Sequence, residues 1–238
     1  MKALILNSGI GSRMGNIASC KCLCLLEVDR GISIVDEQMR RLSKCGITDI
    51  CMTTGPYAKE LEAYLQKRYP SLNFEFVHNE LYAQTNYIYS IYLAKEVLQG
   101  DILLIHGDLV FESSLLSEII AAPYSCMATD SSKALPVKDF KAVVEEGGII
   151  TKIGIDFFES ALYAQPLYKL LYQDWRIWLD EICLFCQEKR SNVYAEEAFN
   201  SISGKMKLYP LDAGGRMCFE IDNVEDLSYA REVYRKCK

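Results

Sequence analysis

Short apolar runs alternate with segments of helical spacing along most of this chain, a pattern that predicts a mostly parallel sheet covered on both faces by helices. Residues 2–6 read as an apolar first strand, followed by a glycine-rich segment at 7–15. Helical spacing over 36–45 stops at Gly46, as glycine commonly ends helices. Strands at 49–54, 72–78, 101–106 and 125–129 then alternate with helices at 57–68, 86–98 and 113–121. Beyond Asp130 the pattern changes: 140–144 and 149–153 flank Glu146-Gly147-Gly148, a hairpin signal. A strand at 162–167, helices at 175–187 and 196–202, strands at 206–211 and 218–221 and a closing helix at 224–236 complete the reading. No repeat, low-complexity tract or linker interrupts it.

Composition narrows the class. The 238 residues are 50% hydrophobic and 24% charged, which suits a folded α/β domain and excludes disordered and fibrous chains. The net charge of −6 leaves no broad basic surface for a nucleic-acid backbone, although a few local Lys and Arg can still hold phosphates. No apolar run is long enough to predict a membrane span, and the apolar start breaks at Asn7-Ser8-Gly9, too early for a signal peptide. Ten cysteines without an export signal point to reduced thiols and a cytoplasmic location. Neither Cys20, Cys22 and Cys24 nor Cys183 and Cys186 meet the spacing of a structural metal site.

The sharpest feature is Leu6-Asn7-Ser8-Gly9-Ile10-Gly11-Ser12-Arg13-Met14-Gly15, directly after the first strand. Small residues let backbone N–H groups close around phosphate oxygens, and Arg13 and the following Lys21 add positive charge. Gly9, Gly11 and Gly15 are spaced one residue too wide for a dinucleotide fingerprint, and no Gly-Lys-Ser/Thr supplies a P-loop. The segment instead resembles the loop of nucleotidyltransferases that join a nucleoside triphosphate to a phosphorylated small molecule. Cys20-Lys21-Cys22-Leu23 keeps that family's lysine but not its flanking prolines. The likeness continues through Gly107-Asp108 and Glu220-Ile221-Asp222 and so spans nearly the whole chain. It implies a Rossmann-like mixed sheet of the nucleotide-diphospho-sugar transferase type in one domain: a nucleotide-binding part over about 1–130, an acceptor-binding part over about 131–215, and a closing strand and helix.

Within the family, residues 85–93 resemble the helix beside the base in cytidylyltransferases acting on phosphocholine and 2-aminoethylphosphonate. The segments 139–142, 164–169, 178–181 and 194–196 look more like the phosphonate branch. The resemblance therefore implies CTP as donor, an amino-alkyl phosphonate or phosphocholine as acceptor, and Mg²⁺. More remote readings are a sugar-1-phosphate nucleotidylyltransferase and a nucleotide-binding regulator without catalysis.

Such a reaction needs no general base, because the acceptor is largely anionic near neutral pH; it needs positioning and positive charge around the phosphates. Arg13, Lys21 and Lys141 are the expected catalytic cations; the resemblance implies that Lys141 lies near the acceptor phosphate, although a lysine on a strand also has an ordinary solvent-facing reading. Asp108 and Asp222, each just past an apolar strand, are the expected metal ligands. Leu6, Asn7, Ser8, Gly9, Gly11, Asn86, Ser90 and Gly107 are expected around the nucleotide, Asn86 either reading a cytosine edge or capping its helix. Asp139, Tyr168, Asp180 and Glu196 are expected around the acceptor, whose primary ammonium would want carboxylates; a trimethylammonium would instead want Tyr163, Tyr168, Trp175 and Trp178 as a cage. Trp175 and Trp178, at i and i+3, also read as a core stripe, and His106 as a hydrogen-bonded core residue. The apolar content would accommodate a homodimer without demanding one. Phosphonate-branch relatives can be fused to an aminotransferase, and the basic residues Arg235, Lys236 and Lys238 could end this chain or lead into a linker.

Overall fold

The computed structural model describes residues 1–11, 14 and 22–236, so the expected cations Arg13 and Lys21 lie outside the described residues. Its main sheet follows the order β10-β9-β11-β6-β1-β4-β5, with β8 joined to β11 and β12 joined to β8. Strands β1 (Lys2–Asn7), β4 (Asp49–Thr54), β5 (Asn73–His78) and β6 (Ile102–His106) run parallel. The other half is antiparallel around β11 (Ala161–Leu170), which pairs with β6, β8 (Cys126–Asp130) and β9 (Lys141–Glu145); β9 pairs in turn with β10 (Ile149–Gly154). The expected mixed sheet flanked by helices is therefore present, with β12 (Tyr209–Asp212) parallel to β8.

Alternation along β1 explains the two covered faces. Ala3 and Ile5 enter one core with Val35, Met39 and Leu42 of α1 (Ile34–Lys44), Leu61 and Leu65 of α2 (Ala58–Arg68), and Leu115 and Ile119 of α4 (Ser113–Ala121). Leu4 and Leu6 enter the opposite core with Ile88 and Ile91 of α3 (Tyr87–Leu93), Trp175 and Trp178 of α5 (Tyr172–Gln187), and Phe199 of α6 (Ala195–Ile202). The i, i+3 tryptophans are thus core residues, each indole N–H donating to a backbone carbonyl: Trp175 to Leu98 at 3.2 Å and Trp178 to Ala195 at 2.9 Å.

Strand β11 changes partners midway. Residues 161–163 pair with β9 and 167–170 with β6, with a register shift against β8 between Ala164 and Tyr168. Pro166 lies in that shift, where a residue without an N–H is tolerated. A second sheet, absent from the sequence reading, pairs β7 (Leu109–Phe111) antiparallel with β13 (Cys218–Glu220). It carries the C-terminal segment to the end of β6, and the Ile221 N–H donates to the Asp108 carbonyl at 3.0 Å. Helix α7 (Val224–Lys236) then packs Leu227, Ala230 and Tyr234 against Met14, Val28 and Ile34.

Candidate active site

The carboxyl ends of β1 and β6 open into a cavity of 360 Å³, where ligands bind in open α/β sheets. Leu6 and Asn7 line it from the end of β1, Ser8, Gly9 and Gly11 from the first loop, Asn86 and Ser90 from the cap and body of α3, and Asp108 and Asp222 from the β6 and β13 ends. Asp139 lines it from the β9 side. Ten positions singled out from the sequence therefore share one space.

Two glycines set how closely these segments approach. A Cβ on Gly107 would overlap the Asn7 carboxamide, and one on Gly55 would overlap the Ser8 backbone. Gly107 thus acts by closeness, letting β6 end against β1, and its N–H donates to the Leu6 carbonyl at 3.0 Å. Gly55 had no signal in the sequence beyond its position after a strand.

On the nucleotide side the polar groups are tied to one another. The Ser90 hydroxyl donates to Ser8 Oγ at 2.9 Å, and the buried Asn79 amide donates to Ser90 Oγ at 3.0 Å and Thr85 Oγ1 at 3.1 Å. Asn79 also lines the cavity and was missed, since nothing distinguishes an Asn after a strand from a turn residue, and Thr85, which opens the segment likened to the helix beside the base, lines it too. Asn86 caps α3 by accepting from the Tyr87 N–H at 2.7 Å, and it lines the cavity from that position. Among the described residues, Asn7 Nδ2 and His106 Nε2 are buried without a protein hydrogen-bond partner, as suits donors kept for a ligand.

The β6 and β13 ends gather charge. His106 Nδ1 lies 2.8 Å from Glu220 Oε1, and ligand atoms of His106, Asp108 and Glu220 all lie within 4.8 Å of one another. His106 is therefore a cavity residue, not the core histidine expected: the β7–β13 pairing brings a carboxylate to it that the sequence leaves far away. Burial alone would lower its basicity, but the hydrogen bond and charge of Glu220 outweigh burial and push it up to about 9. Asp108 is pushed up to about 7 by burial and then by the nearby charges of Glu220 and Asp222, against the pull of His106. Carboxylates crowded this way, with hard oxygen donors at strand ends, fit a divalent cation of the Mg²⁺ type. Glu220 is the residue the sequence reading named but gave no role.

Several expected acceptor residues do not reach the cavity. Lys141 is buried, and its ammonium donates to the carbonyls of Asp139, at 3.1 Å, and Ile155. A buried ammonium must find acceptors, and these two carbonyls hold it behind the wall, not on the substrate side. Burial also lowers the pKa of this group below the ordinary lysine value, against the nearby charges of Asp139 and Asp156. Tyr168 is fully buried with its ring edge-on to Trp178, and its hydroxyl donates to Glu196 Oε1 at 2.8 Å. Glu196 is also buried and accepts from the Tyr87 hydroxyl, so both act beneath the wall that Tyr87 presents. Asp180 points from the exposed face of α5 and does not line the cavity. The residues that do line the acceptor side include Lys138, Asp139, Phe140 and Tyr194, with Tyr163 behind them donating to Asp139 Oδ2 at 3.0 Å.

A family model described as the MobA-like NTP transferase domain matches residues 3–181. Among curated relatives, the CMP-5'-(3-aminopropyl)phosphonate synthase of Streptomyces rubellomurinus is 25% identical over 166 residues; the match covers 70% of this chain but only 26% of that protein. The 2-aminoethylphosphonate cytidylyltransferase of Lancefieldella rimae is 34% identical over 109 residues, 45% of this chain and 43% of the relative. The choline-phosphate cytidylyltransferase of Streptococcus pneumoniae is 22% identical over 244 residues, covering 99% of both. A solved structure of a CTP:phosphocholine cytidylyltransferase from Streptococcus pneumoniae shares the fold, with a TM-score of 0.80 at 21% identity over 98% of both chains. With the matched region spanning most of its length, the chain belongs to the MobA-like NTP transferase domain family and is a nucleotidyltransferase with cytidylyltransferases among its relatives.

Proposed function

We propose that this chain transfers CMP from CTP to 2-aminoethylphosphonate and releases pyrophosphate. The observation that carries the reading is the cavity itself, which gathers the first loop, Asn86 and Ser90, the Asp108–Asp222 carboxylates and Asp139 around one space. A phosphonate oxygen attacks the α-phosphorus, a new P–O bond forms, and the α–β bridging bond breaks so that pyrophosphate leaves with the electron pair. The acceptor arrives as an anion, so no residue has to remove its proton. Ser8, held by Ser90, which Asn79 holds in turn, positions the loop, and Arg13 and Lys21 supply charge to the triphosphate. Enzymes of this family commonly use a divalent metal; here Asp108 and Asp222 would hold Mg²⁺, which neutralises phosphate charge when bound. Asp139 offers the acceptor ammonium a carboxylate, and the acceptor-binding part falls within residues 131–215.

A second reading, phosphocholine as acceptor, is favoured by a specific observation. Tyr82, Tyr87, Phe140 and Tyr194 line the same cavity, and aromatic faces suit a trimethylammonium group that cannot donate N–H bonds. Pyrophosphate release from CTP and Mg²⁺, measured with the two acceptors in parallel, decides between them. A kcat/KM preference for the phosphonate, with a raised KM for it in Asp139→Asn, supports the first reading. Preference for phosphocholine, unchanged by that substitution, moves the head group onto the aromatic wall. Release with neither acceptor sinks both. Among the described residues no helix is long and apolar enough to cross a membrane.

A further inference from the structure

The single turn at Leu23–Leu25, with the residue before it, carries two thiols that the transfer reaction does not use. Cys22 Sγ and Cys24 Sγ lie 3.3 Å apart. Cys22 lines the substrate cavity beside Leu23, whereas Cys24 is fully buried behind it. The backbone between them is fixed by a single turn, Leu23–Leu25, in which the Leu25 N–H donates to the Cys22 carbonyl at 3.0 Å. Other described cysteines have different neighbours: Cys45 meets the Ser117 hydroxyl at 3.6 Å and Cys186 the Ile88 carbonyl at 3.9 Å.

We propose that Cys22 and Cys24 are an oxidation site in the wall of the nucleotide cavity, closing to a disulfide when a hydroperoxide enters that cavity. Closure needs the sulfurs to approach by only about 1.3 Å, since a disulfide bond is about 2.0 Å long. The two thiols have unequal parts. Cys24 stabilises a Cys22 thiolate by hydrogen bonding, which outweighs burial and lowers the Cys22 pKa, while burial pushes Cys24 well up and keeps it protonated. The Cys22 thiolate attacks the hydrogen-bearing peroxide oxygen, the O–O bond breaks, and the other oxygen leaves as alcohol or water, taking up the proton that the Cys22 thiol gave up on ionising and leaving a sulfenic acid on Cys22. Cys24 Sγ then attacks the Cys22 sulfur, its own proton leaves with the sulfenic oxygen as water, and the S–S bond forms. Two thiols lose two protons and two electrons in all, and the hydroperoxide takes up both protons and both electrons to give water and an alcohol, or two waters.

The inference stands apart from the acceptor reading, because its readout is a covalent bond and not turnover. Native protein is exposed to hydrogen peroxide, alkylated under denaturing conditions and digested with trypsin; peptide 22–30 holds both cysteines. The expected product is that peptide two hydrogens lighter and unalkylated, returning to the doubly alkylated form after dithiothreitol. In Cys24→Ser the disulfide cannot form, and Cys22 is expected to accumulate as a sulfenic acid captured by dimedone, several-fold above wild type. In Cys22→Ser, Cys24 is expected to stay reduced. A doubly alkylated wild-type peptide, under peroxide that fully oxidises free glutathione, would overturn the proposal. So would Cys22 recovered in a bond to any cysteine other than Cys24.

Discussion

On the β1–β6 side of the cavity, the side chains that line the space sit on or just after parallel strands and on α3, and they bond to one another: Asn79 to Ser90, and Ser90 to Ser8. On the β9–β11 side, the polar groups first expected at the acceptor lie one layer back. Lys141 holds two carbonyls, Glu196 holds Tyr87 and Tyr168, and the cavity face is left to Lys138, Asp139, Phe140 and Tyr194. The parallel half ends its strands at one edge, so a residue after a strand is automatically at the site. The antiparallel half has no such edge, and each residue's depth depends on what packs behind it.

The largest effect should come from the charged seam between the halves. Asp108→Asn is expected to lower kcat by about 10²- to 10³-fold, because it removes a carboxylate that would hold the divalent cation. Its melting temperature should equal or exceed wild type in the absence of divalent cation, since Asp108 is a carboxylate crowded by Glu220 and Asp222. Added Mg²⁺ should raise the wild-type melting temperature more than that of the variant. Turnover that survives the change would remove Asp108 from the chemistry.

Asp36 supports the nucleotide half from behind. It accepts from the Ser33 N–H at 2.9 Å, Tyr64 at 2.8 Å, Tyr69 at 2.6 Å and Arg68 at 2.7 Å, joining α1 to α2. Burial pushes its carboxyl up, but the hydrogen bonds from Ser33, Tyr69 and Tyr64 win and hold it below the usual range. A depressed folded pKa gives stability that is complete above the unfolded value and is lost as pH falls through the folded one. Asp36→Asn should therefore cost about 2–3 kcal/mol at pH 7 in urea melts, with the gap to wild type closing in acid. A gap independent of pH would point to packing and not to the charge.

Glu196→Gln tests whether the acceptor half is organised from beneath. Glutamine keeps one acceptor oxygen for two tyrosine hydroxyls, so stability should fall by about 2 kcal/mol, with kcat changed less than the KM of the acceptor. A wild-type melt with a large loss of kcat would place Glu196 on the substrate itself. Ser90→Ala, on the opposite wall, removes the link between Asn79 and Ser8; about 1 kcal/mol of stability and a few-fold rise in the KM for CTP are expected. The smallest effect should belong to Asp180→Asn, whose exposed carboxylate on α5 should leave stability within about 0.5 kcal/mol and both KM values unchanged.

The parallel half was legible because its signals are local. An apolar run, a glycine loop and a second apolar run ending in Gly107-Asp108 each mark a strand end, and strand ends converge. The antiparallel half was less legible because strand period fixes only which face a residue takes, not how deep the face lies. Lys141 and Tyr168 were placed at the acceptor on sequence likeness, yet packing puts one against backbone carbonyls and the other against Trp178. His106 shows the same limit in reverse: as a lone strand-end histidine it reads as core, and only the distant Glu220 makes it part of a charged site.

The sequence by itself determined the alternation of strands and helices, the two-faced sheet, the glycine loop and the two aspartates past strand ends, because each depends on residue order within a few positions. The tertiary structure decided which charges meet. Pairing of β7 with β13 brings residues more than a hundred positions apart into one seam, and packing of α5 and α6 onto β11 sets which side chains face the cavity and which are sealed beneath it. Those outcomes rest on long-range registry and on the need of every buried polar group for a partner, neither of which is written in local spacing.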